Sequence, residues 1–128
     1  MPSVDLADTG WSVWTGQALW QPPGDRPRIG GEFVAAKHSN GDVLVSFSKA
    51  SLTIFTAQVA DTTWRLDFIE RRPYGGNGKP PGRFVWFRLP EILDGGDAPD
   101  KWKLERPHDG ELSMTNPSSG ESITVVLD

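Results

Sequence analysis

Two histidines, a scatter of carboxylates and one basic loop are the groups in this chain that could do chemistry. His38 ends an apolar stretch beside Ser39-Asn40-Gly41-Asp42, and His108 opens the turn His108-Asp109-Gly110. Neither belongs to an H-x-x-x-H or H-E-x-x-H pattern, so no helical zinc site is spelled out, and turn histidines ordinarily face water. Glu32, Asp67, Glu70 and Glu105 alternate with apolar neighbours, as the outward face of a strand does, and form no evident acid pair of the glycosidase kind. Asp94, Asp97 and Asp100 have the rough spacing of calcium ligands, but the further acceptors and closing Glu of a calcium loop are missing.

Nucleophiles fare no better. The chain has no Cys, which removes disulfides, thiolate metal sites and cysteine catalysis. It contains no G-x-S-x-G, no Ser-x-x-Lys and no G-x-G-x-x-G opening a helix. Tyr74-Gly75-Gly76-Asn77-Gly78-Lys79-Pro80 holds a Gly-Lys pair without Walker spacing, and its proline withholds a backbone N–H that a phosphate cradle would use. The expectation is a protein with no catalytic residues, no metal and no cofactor. A hydrolase would need His38 or His108 to meet an acid in space. Arg71, Arg72, Lys79 and Arg83 place four cations within residues 71–83 of a chain whose net charge is −4. They are candidates for contact with an anionic head group, although such runs usually serve solvation. The acidic balance disfavours nucleic acid as a partner.

The elements that must position any site read as strands. A chain of 128 residues has the size of one domain. Eleven Pro and fourteen Gly punctuate it, as short strands with turns require. Residues 1–10 are polar and expected to be flexible, and residues 11–128 to form one domain. Trp11 to Gln21, Arg28 to Lys37, Val43 to Ser48 and Leu52 to Val59 read as the first four strands. In the next, Trp64, Leu66 and Phe68 share one face and Arg65 and Asp67 the other, a period of two that no helix carries. Residues 71–82 read as an irregular loop. Phe84 and Phe87 have helical spacing between flanking prolines, so one short helix is expected there; Phe, Val and Trp also suit sheets, and a strand over 83–90 stays open. Trp102 to Arg106, Glu111 to Asn116 and Ser122 to Leu127 complete the pattern. The fold expected is mainly β: a single strongly curved antiparallel sheet of about eight strands in a meander, an incomplete barrel with the helix on its concave face.

Six Trp and six Phe exceed what a thin sheet needs for packing. Phe47, Trp64, Leu66, Phe68, Trp86 and Phe87 are the candidate apolar face, forming either a packed core or a ligand cavity.

Trp14-Thr15-Gly16-Gln17-Ala18-Leu19 resembles the opening strand of the bacterial lipoprotein-sorting family (LolA/LolB-like). The five-strand meander, the helical segment at Phe84–Leu93 and the closing pair Leu112–Pro117 and Gly120–Leu127 are similar to that family's plan over roughly residues 11–127. Leu52, near the tip of the Lys49-Ala50-Ser51-Leu52 link, resembles the apolar loop of the outer-membrane member. The resemblance implies a non-enzymatic envelope protein holding lipid or lipoprotein acyl chains on the concave face, with an envelope protein as a further partner. The first eight residues lack the basic start and apolar run of a signal peptide. The expected location is therefore periplasm or outer membrane if a leader has been removed, and cytoplasm otherwise, for a monomer. The alternative is an interaction or structural module with a dry core and no small ligand.

Overall fold

A computed structural model describes residues 10–24, 26–69, 73–81 and 84–128. The expected flexible segment, residues 1–10, lies outside them except for Gly10, whose carbonyl accepts the Ser39 N–H at 3.0 Å.

Alternation of side chains builds the sheet. In β1 (Trp11–Gln21) Gly16, Ala18 and Trp20 are buried while Gln17 and Leu19 face out. β2 (Ile29–His38), β3 (Val43–Lys49), β4 (Leu52–Ala60) and β5 (Thr63–Phe68) follow in a meander. Their register lines up Phe33, Phe47, Phe55 and Phe68 as cross-strand partners, one phenylalanine per strand. Beside that row runs another of Ala35, Val45, Ala57 and Leu66, whose small members leave depth on the concave side. A register shift at Phe47/Ser48 marks a bulge, which adds bend and twist to the β3–β4 ribbon.

Part of the segment expected to be irregular is ordered as a strand. Tyr74–Asn77 forms β6, an edge strand paired with β5, so the described sheet has nine strands where about eight were expected. Its glycines obscured it: Gly76 lies opposite Trp64, and a Cβ there would come within 3.0 Å of the Trp64 indole nitrogen. The bare backbone lets that ring lie across the edge strand.

Of the segment left open as helix or strand, Val85 onward is helical, and Arg83 lies outside the described residues. Val85–Arg88 is a 3₁₀ turn that runs into α1 (Leu89–Leu93). The proline in its first α-helical turn is Pro90 rather than Pro81, and Pro90 needs no N–H there. The segment packs on β2, β3 and β4 and buries Val85, Trp86, Phe87, Leu89 and Ile92 against the concave face. Arg106 anchors its far end by donating to the carbonyls of Ile92 at 2.9 Å and Gly96 at 3.1 Å, the former shared with the Gly95 N–H.

β7 (Lys103–Glu105), β8 (Glu111–Thr115) and β9 (Ser122–Leu127) form a second meander. The strand order is β6-β5-β4-β3-β2-β1-β9-β8-β7, antiparallel throughout. The two meanders thus join where the first strand pairs with the last. Gly16 faces Leu127 across that seam, and Asp128 closes it by donating its N–H to the Thr15 carbonyl at 3.0 Å. The sheet is curved and unclosed, a half-barrel plugged by one helical segment.

Candidate functional site

The plug is shorter than the barrel. Beside the start of the plug, the concave face opens into a cleft of about 530 Å³, within the usual range for small-molecule sites. β4 and β5 supply one wall with Ile54, Trp64, Leu66 and Phe68, and Ile69 and Tyr74 continue it. The opposite wall comes from the end of β1 and the chain after it: Trp20, Pro22, Pro23, Pro27 and Ile29. Prolines after Trp20 cannot extend the β1 ladder, so the chain leaves the sheet and turns along the cleft. Pro81 and Phe84 border it from the strand-to-plug connection. Phe84 packs edge-on to Phe55 at 5.4 Å, Phe68 at 5.9 Å and Phe87 at 5.6 Å, so the cleft floor is continuous with the core.

The six residues of the expected apolar face divide. Trp64, Leu66 and Phe68 line the cleft. Phe47, Trp86 and Phe87 do not; they are 0%, 0% and 5% exposed, Phe47 under the plug and the other two on its inner side, so for these three the packed-core alternative holds. The reason is geometric: the helical segment that would have flanked a ligand instead inserts its own Trp86 among Trp20, Phe47 and Phe55, with ring centroids 5.0–5.7 Å apart. Of the candidate head-group cations, Arg71, Arg72 and Arg83 lie outside the described residues. Lys79 is exposed in the turn after β6 and is not a cleft residue.

One buried ionisable residue of the cleft is not among the sequence-derived candidates. Glu121, just before β9, is 4% exposed and is the one buried charged side chain among the described residues. Its Oε2 accepts the Trp20 indole N–H at 2.9 Å. Its backbone is held by the preceding turn, through Ser119 Oγ at 3.2 Å and the Asn116 N–H at 2.8 Å. Burial raises its carboxyl above the ordinary value of 4.5, and the Trp20 hydrogen bond opposes that shift. The signal that finds it is phase: Glu121, Ile123 and Val125 are all buried, with Ser122, Thr124 and Val126 turned away. An acid stands in step with the buried residues of a strand.

A raised carboxyl means the folded chain binds the proton more tightly than the unfolded chain. The resulting stability is complete below pH 4.5 and is lost as pH rises through the folded titration. Glu121→Gln is therefore expected to gain stability relative to the parent over that rise. Urea midpoints of the two proteins, taken from pH 4 upward, should diverge in favour of the glutamine variant; parallel curves would count against the assignment.

The other candidates stay apart from the cleft. His38 Nδ1 accepts the Asn40 N–H at 3.1 Å, and its ring meets Trp11 edge-on at 5.1 Å. His108 is exposed, and its carbonyl receives the Glu111 N–H at 3.1 Å. Asp94 pairs with Lys37 at 3.5 Å, and among the described residues no three His, Asp or Glu side chains converge as a metal group would. No protein-family model matches the chain, and no curated protein matches it in sequence.

Proposed function

We propose that this chain is a non-catalytic binding protein that holds a slender apolar ligand, an acyl chain or its equivalent, in the cleft between Trp20 and β4–β5. The observation that carries the reading is the cleft itself. Trp64, Phe68, Ile54 and Phe84 pack on the core yet keep part of their surface open to it, a condition that costs free energy in water and is relieved by an apolar guest. The half-barrel with a helical plug supports kinship of plan with lipoprotein-sorting proteins. On that reading the protein works in the bacterial envelope, reached through a leader.

An environment-sensitive fatty-acyl fluorophore titrated into the purified chain should bind saturably near one to one and be displaced by unlabelled dodecanol. Phe68→Arg, which sets a cation in the cleft wall, is expected to weaken that binding at least about tenfold, the scale of losing one buried aromatic contact. Leu19→Ala on the outer face, where Leu19 is 43% exposed, should leave it unchanged. A dry interaction module is the competing reading, which the sealed packing of Trp86 favours. It predicts no saturable uptake.

A further inference from the structure

We propose that Glu121 is the polar anchor of the cleft and that the ligand is a single-chain amphiphile whose inner end is a protonated amine. The inference rests on the apolar-binding reading and names its ligand class. Oε2 of Glu121 is engaged by Trp20, while no donor among the described residues reaches Oε1. Glu121 itself lines the cleft, beside Trp20 in the same wall. No lysine or arginine among the described residues forms an ion pair with it. Arg26, the one cationic side chain lining the described cleft, is exposed.

An acid held against Trp20 in an apolar wall, with one oxygen unmatched, selects for a group that brings both N–H donors and positive charge. A fatty carboxylate would set like charge against like at the same point. The Trp20 bond serves a second purpose, because it fixes the carboxylate's orientation relative to the wall along which an alkyl chain would lie.

The test compares dodecylamine, dodecanol, dodecyltrimethylammonium and dodecanoate, each below its aggregation concentration, as competitors of the acyl fluorophore. The intact protein should prefer dodecylamine over dodecanoate by about tenfold or more, the range of one charge-assisted hydrogen bond. Dodecyltrimethylammonium, charged but without N–H, should bind several-fold more weakly than dodecylamine. Glu121→Gln keeps an oxygen for the Trp20 N–H and should abolish the amine preference, so that dodecylamine no longer competes better than dodecanol. Equal binding of amine and carboxylate by the intact protein, or an amine preference that survives Glu121→Gln, overturns the anchor and leaves the apolar cleft standing. Failure of all four to compete, with no saturable fluorophore binding, overturns the cleft reading itself. Should Glu121→Gln not fold, the order of the four ligands on the intact protein decides alone.

Discussion

Trp86→Ala is expected to lower the free energy of unfolding by about 3–5 kcal/mol, the cost of emptying a fully buried aromatic site. Trp86 is 0% exposed and meets Phe55, Phe47 and Trp20 at ring-centroid distances of 5.0, 5.4 and 5.7 Å. Strands cannot collapse into the space it would leave, because their separation is set by the ladder hydrogen bonds. Domains of this size are stable by roughly 5–15 kcal/mol, so the variant should sit near the edge of folding. The indole nitrogen adds a second arm to the test, for it is buried without an acceptor. Trp86→Phe deletes that unsatisfied N–H, worth about 1–3 kcal/mol when orphaned, and so should cost far less than its lost volume alone suggests. Urea unfolding of both variants measures the pair. A loss below about 1 kcal/mol for Trp86→Ala would show that the plug does not hold the half-barrel together.

The second large effect belongs to the seam. At Gly16 an added Cβ would lie 2.1 Å from the Val126 carbonyl oxygen and 2.9 Å from the Leu127 Cα. Both obstacles are backbone, so no rotamer change can make room, and Gly16→Val must push β9 away from β1. Every strand pair between the two meanders runs through that junction. A loss of about 3 kcal/mol or more is expected, at or above the upper end for overpacking that side chains cannot relieve. Gly30→Ala is the control, since its Cβ would meet nothing nearer than the Leu19 side chain at 3.7 Å. It should change stability by less than about 1 kcal/mol, with either sign. Hydrogen exchange resolved by segment should show protection falling across β1 and β9 in the valine variant. Unchanged exchange there would contradict the seam's role.

Much of this architecture was legible from alternation alone. Trp64, Leu66 and Phe68 announce β5 and its inner face because a strand has only two faces and the aromatics occupy one. β6 was illegible because Gly75 and Gly76 carry no side chain to alternate; Gly76 leaves room for the Trp64 ring and Gly75 for the Trp64 carbonyl, a tertiary demand that leaves no local trace. The plug was half legible. Phe84 and Phe87 carried helical spacing, but nothing local says how far the segment reaches along the barrel, and that reach decides which aromatics are core and which are wall. Hence Phe47, Trp86 and Phe87 share their types with Trp64 and Phe68 yet differ in surroundings. Glu121 obeys the same alternation rule, since it is an acid in phase with the buried Ile123 and Val125 rather than one at a catalytic spacing.

An open sheet has two rims, and here both fall to strands from the middle of the chain. One rim is β6, four residues with two glycines at its centre; the other is β7, three residues with Lys103 and Glu105 turned to solvent. The longest strands, β1 and β2, are placed at and beside the junction of the two meanders, where neighbours occupy both sides. A second molecule seeking to extend the sheet therefore finds only stubs, one poorly inclined to the β conformation and the other charged. The half-barrel leaves its hollow open while its borders offer little purchase for growth into a fibre.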